Sequence, residues 1–144
     1  MNCINIDKLG KADEVLFTSV LEWYNEDIEN VRRFLDLVKR RNGLSLRIID
    51  WLTTNYSKNV NIAIQSEGLP RDLYREYHKN LSAYNKRNFD PFARRQKIGI
   101  VLFGEEQRSS TMGQLNFFRW FLPKKVHEFL MSNRRVTEKH MRDS

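Results

Sequence analysis

His78, His127 and His140 are the residues best suited to proton transfer or metal binding, and none has a second histidine three or four positions away. A metal-binding helix needs that spacing, because only i, i+3 and i+4 share a face, and no HExxH-like pattern is present. The three read as ordinary surface histidines. Cys3 is the only cysteine, so neither an internal disulfide nor a cysteine-built zinc site can form. Ser57, Ser66, Ser82, Ser109 and Ser110 lack the G-x-S-x-G elbow that would expose a nucleophile. Gly99 and Gly104 form neither phosphate-binding glycine motif. Carboxylate pairs can always be drawn from eighteen acids, so they point nowhere in particular. The sequence is therefore read as that of a non-enzyme with no cofactor and no metal.

Cations carry more information. Lys39, Arg40, Arg41 and Arg47 gather around one expected helix end, and Lys79, Lys86, Arg87, Arg94, Arg95 and Lys97 come further on against the single acid Asp90. Tyr77, Tyr84, Phe89 and Phe92 are interleaved with the second group. Two readings stand side by side. Arg40, Arg41, Arg47, Lys86, Arg87, Arg94, Arg95 and Lys97 line a polyanion- or partner-binding face with aromatics free to stack on bases. Alternatively, the tyrosines belong to the core and the cations to a solvated face. Phe89, Asp90, Pro91 and Phe92 are read as a structural turn, whose phenylalanines pin the chain while the arginines after it project outward.

These groups need elements to hold them. Residues 26–41 place Ile28, Val31, Phe34, Leu35 and Val38 on one helical face, with acids in the first turn, cations in the last and Gly43 as the expected stop. Ser45 begins a second helix over 45–56, and residues 60–64 alternate as a short strand. Pro70 is expected to open a third helix with Leu73, Tyr77, Leu81 and Tyr84 inward, ended by Asp90-Pro91. Residues 97–103 read as a central strand. Thr111 with Gln114 forms a capping box for a helix whose inward residues are Leu115, Phe118 and Phe121 or Leu122. Pro123 breaks or kinks that helix. Val126, Phe129 and Leu130 continue one last apolar face.

The 144 residues fit one domain, 1–144, with an acidic segment over 1–25 and a charged tail over 133–144 that lies on the surface or frays. The expected class is α+β, helix-dominated, with a small sheet. Nine Phe, five Tyr and three Trp are far too many for a disordered chain. Net charge is +7, unevenly placed. Residues 1–38 hold four cations against eight acids, a net of −4 that leaves +11 for the rest. Such a basic body favours a polyanion or an acidic protein as partner. The single cysteine fits a reducing compartment, charges interrupt any signal-peptide core in the first twenty residues, and no membrane span is expected.

Three stretches, LSLRIIDWLTTNYSKN (44–59), YHKNLSAYNKRNFDPFARRQKI (77–98) and TMGQLNFFRW (111–120), resemble an uncharacterised protein family of the nucleocytoplasmic large DNA viruses, over residues 30–144. The terminal EKHMRDS is a weaker match. Ala93 stands where relatives carry a cysteine, and Phe121-Leu122-Pro123 replaces a smoother helical continuation. The family transfers no catalytic residues. Its implications are contextual: a protein made in the host cytoplasm, at the viral factory, and packaged in the virion. The resemblance implies a minor capsid or virion-core component whose partners are capsid or core proteins. The second reading is a nucleic-acid-binding accessory protein of the factory, meeting DNA or RNA through the basic face.

Overall fold

The computed structural model describes residues 3–4, 11–41, 43–66, 69–91, 97–100 and 108–143. It is a helix-dominated α+β structure. Helices α1 (Lys11–Glu26) and α2 (Ile28–Val38) precede α3 (Leu46–Trp51), which runs on through a π-helix (Leu52–Tyr56) into α4 (Ser57–Asn59). The hairpin of β2 (Ala63–Ser66) and β3 (Leu69–Asp72) leads into α5 (Leu73–Phe89). Strands β4 (Lys97–Ile100) and β5 (Arg108–Ser110) come next, then α6 (Met112–Phe121), a 3₁₀ turn (Leu122–Lys124), α7 (Val126–Ser132) and α8 (Arg134–Asp143). β4 is central as expected: β1 (Cys3–Ile4) runs parallel on one side, with Cys3 opposite Lys97, and β5 antiparallel on the other. Residues 101–103 of the expected strand lie outside the described residues.

The core is built around α6. Leu115, Phe117, Phe118 and Phe121 are essentially inaccessible. Phe118 meets Phe34 of α2 edge-on, and Phe34 in turn meets Tyr24 of α1. Such aromatic pairs are worth roughly 0.5–1.5 kcal/mol each beyond area burial. The Tyr24 hydroxyl donates to the Leu115 carbonyl at 2.7 Å, satisfying the one polar atom that α1 buries there. Burial holds that hydroxyl in its protonated form, with a pKa well above the ordinary value. Arg119 ties three helices together: it donates to Asn116 Oδ1 at 2.7 Å, Ser19 Oγ at 3.1 Å and the Tyr84 hydroxyl at 3.3 Å.

Several expectations change. The acidic segment also contains α1, which the sequence reading did not assign; it buries Phe17, Val20 and Tyr24 one turn apart and keeps Glu14, Glu22 and Glu26 exposed. Pro70 does not open a helix. It sits in β3 opposite Gln65, where a missing N–H is tolerated, and α5 starts at Leu73 because Asp72 accepts from the Arg75 N–H as N-cap. The strand expected over 60–64 is realised at 63–66. Helix α2 begins at Ile28, capped by Asp27, and leaves Ile28 exposed while burying Leu37. Residues 134–143 lie on the surface as a helix, mostly exposed, with Thr137 buried and Met141 packed on the core. Ser45 and Thr111 cap α3 and α6 as read from the sequence. Gln114, however, accepts from Ser110 Oγ at 2.7 Å rather than completing the box.

Candidate functional site

Of the eight cations singled out, Arg40, Arg41, Arg47, Lys86 and Arg87 are described with their side chains, and all five are exposed. Arg94 and Arg95 lie outside the described residues. Lys97 is placed only as the first residue of β4. The structure sorts the five into two groups. Arg40, Arg41 and Arg47 surround the passage from α2 to α3, while Lys86 and Arg87 close the last turn of α5. Two are already engaged: Arg41 with Asp36 at 3.3 Å, and Arg87 with Asp13 at 3.4 Å. Arg40, Arg47 and Lys86 have no acid partner among the described residues.

Arg40 holds an unusual backbone. Its N–H bonds the Leu37 carbonyl and that of Arg41 bonds Asp36, a Schellman ending that requires a left-handed residue at Arg40, with φ of 57°. Glycine usually fills that position. Gly43, expected as the stop, has φ of 79° in the following loop, where an added Cβ would fall 2.5 Å from the Arg134 guanidinium.

The expected turn starts from Phe89, fully buried against Tyr77, Tyr84, Phe117 and Trp120. Asp90 caps α5, donating its N–H to the Lys86 carbonyl, and Pro91 is buried. Phe92 lies outside the described residues. A Cβ on Gly113 would sit within 2.4 Å of the Asp90 carbonyl oxygen, so α6 begins directly against this turn. Asp50 of α3 is close enough to feel Asp90. Burial raises the Asp50 pKa first, and the Asp90 charge adds to it. Tyr77 is pushed up to about 12 by burial and by both carboxylates.

Of the aromatic side chains expected near the second cation group, Tyr77 and Phe89 are committed to the interior and Tyr84 is half-buried. Tyr77 is buried, and Tyr84 stacks on Phe89 at 5.9 Å. Tyr77 and Phe89 are therefore not free to stack on bases, and the Tyr84 hydroxyl accepts from Arg119.

An accessible aromatic group exists elsewhere, and the sequence reading passed over it. Thr53, Thr54 and Ser57 each donate a hydroxyl to the carbonyl four residues back, at 2.8, 2.8 and 2.6 Å. Back-bonding of this kind competes with backbone N–H donors and loosens the turn, and here the helix widens to the i→i+5 pattern, with Ser57 N–H reaching Leu52. In a regular α-helix residues five apart lie about 140° around the axis. The wider turn brings Trp51 and Tyr56 onto one side, stacked at 5.3 Å and 18° between planes. His140 of α8 lies against Tyr56 at 5.6 Å. Trp51, Asn55, Tyr56, Asn59, Val60 and His140 line a surface pocket of about 490 Å³. π-turns recur at functional sites.

The other histidines divide. His78 is exposed beside Tyr74, whereas His127, expected at the surface, is buried with Nδ1 unbonded among the described residues. Burial lowers its pKa, Glu128 opposes that and Arg33 adds to it. No three His, Cys, Asp or Glu side chains converge as a metal would need among the described residues. No helix there is long and apolar enough to cross a membrane.

The model of a family of unknown function (DUF7197) matches residues 3–144. The chain belongs to that family. An uncharacterised protein of Acanthamoeba polyphaga mimivirus is 29% identical over 149 residues, covering 97% of this chain. The chain spans 58% of that relative's length. The resemblance to a large-DNA-virus family is met at this level, since a DUF7197 chain here has a mimivirus relative. No solved structure matches.

Proposed function

We propose that this protein is a non-enzymatic interaction protein of a large DNA virus, a minor capsid or virion-core component assembled at the viral factory in the host cytoplasm. The observation that supports this reading is the segregation of exposed charge. The α1–α2 hairpin exposes Glu14, Glu22, Glu26 and Asp27 against Lys11, Arg32 and Lys39, while Arg40, Arg47, Lys86, Arg135, Lys139 and Arg142 are exposed beyond it. An acidic hairpin with basic patches on other elements offers complementary surfaces for head-to-tail contact, or for an acidic capsid protein at the basic patches.

Quantifying the protein in purified particles tests the reading. A fixed stoichiometry relative to the major capsid protein is expected, and absence from particles overturns it. The second reading, a basic nucleic-acid-binding accessory protein of the factory, is favoured by Arg40, Arg47 and Lys86, exposed and without acid partners among the described residues. It expects duplex binding that survives physiological salt, with a log–log salt slope near −0.9 per phosphate contacted. The particle reading expects duplex DNA to bind only in the non-specific range of ~10⁻⁴ to 10⁻⁶ M.

A further inference from the structure

We propose that the Trp51–Tyr56–His140 pocket is a stacking site for a base of single-stranded nucleic acid. The proposal goes beyond the particle reading and is independent of it, since packaged and factory proteins alike can hold a strand this way.

Four observations converge on that ligand. Three rings line one pocket, and the π-helix fixes the pair that α-helical geometry would separate. The pocket's volume of about 490 Å³ falls in the ordinary range for small-ligand sites. Asn55 and Asn59 stand at its edge, and both are exposed. An amide offers a donor and an acceptor together, the pair that a base edge matches.

Charge then selects among ligands that aromatic rings attract. A quaternary ammonium or methylated lysine would suit the rings alone, but the surroundings are basic. Arg47 is exposed one helical turn before Trp51, Lys58 is exposed between Tyr56 and Asn59, and Lys139 is exposed beside His140. Helix α8 carries four cations against two acids. A planar ring attached to phosphates satisfies both features, and a cation does not. The strand must be single, because duplex bases have both faces covered by their neighbours.

Fluorescence anisotropy with two labelled strands of about twelve nucleotides, one of deoxyadenosine and one abasic with the same charge, tests the site at ~0.15 M salt. The base-bearing strand is expected to bind on the order of tenfold more tightly. Tyr56→Ala should remove the difference, and Arg47→Ala should weaken both strands alike. Tyr56 packs on the core, so His140→Ala and Asn59→Ala, both at exposed positions, provide variants that keep the fold. They are expected to melt like the parent and to reduce the preference for bases. Equal binding of the two strands overturns the proposal. So does a full preference retained in both exposed-site variants, or binding of a trimethyl-lysine peptide with none of either strand.

Discussion

Phe89 sits in the middle of a ring cluster drawn from α5 and α6, with Trp120 at 5.4 Å, Phe117 at 5.7 Å and Tyr77 at 5.8 Å. Truncating it removes the contacts that hold the end of α5 to α6, leaving a cavity between backbones already too close for a Cβ at Gly113. Phe89→Ala is expected to destabilise by about 3–5 kcal/mol, read from urea unfolding. A loss under ~1 kcal/mol would mean that the turn is not anchored by this ring. His127 makes a different kind of contribution. It is buried as the neutral imidazole, so the unfolded chain binds its proton more readily. Stability is therefore expected to hold above the ordinary value of 6.5 and to decline as pH falls below it, through the lowered folded value. His127→Gln should flatten that part of the profile. Asp50 acts with the opposite sign. Its raised folded pKa favours the protonated form, so its contribution is fullest below 3.8 and is lost as pH rises through the folded value.

Helix ends show how far the sequence could be read. Ser45 and Thr111 were legible because a hydroxyl at that position has one obvious donor to serve, and both serve it. Asp72 was hidden by Pro70, two good starts two residues apart, and strand pairing with Gln65 decided between them. Helix α1 was obscured by its own surface: Asp13, Glu14, Glu22 and Glu26, around the buried Phe17, Val20 and Tyr24, drew attention to charge rather than to period. The π-turn had no pattern to betray it, since it arises from three hydroxyls bonding backwards together. The aromatic pocket was consequently missed, while Arg40 and Arg41 do follow the end of α2, the one helix end where cations were expected to gather. Arg40 is the clearest case of a local rule broken, because a side chain in the left-handed region costs about 1–2 kcal/mol. Arg40→Gly is expected to raise stability by about 1 kcal/mol in thermal unfolding. Arg40→Ala removes the same charge but keeps the strained conformation, and should give no such gain. Equal effects would trace the change to charge instead of backbone.

Across the whole molecule, the acidic hairpin and the basic elements are joined inside the chain by the Asp13–Arg87 pair, yet most of their charge is left exposed. Exposed pairs add little to stability, with a median near 0–1 kcal/mol. Segregated surface charge influences the rate and choice of partner more than the fold. Reversing Arg40, Arg47 and Lys86 to glutamate should accordingly change unfolding stability by only about 0.5 kcal/mol per site. Under the particle reading proposed above, the same reversal should abolish recruitment to particles. Reversing Glu14, Glu22 and Glu26 to lysine tests the other face. If copies of this chain dock head-to-tail, either reversal alone breaks the contact, and mixing the two reversed proteins restores it, because each then presents the charge its neighbour needs. Sedimentation of the mixture at low and at ~1 M salt reads this directly, since the Debye length shrinks to about 3 Å at the higher concentration. Loss on basic-face reversal without rescue by mixing identifies an acidic capsid or core protein as the partner. Unimpaired recruitment with the basic face reversed would remove the charge-segregation argument altogether.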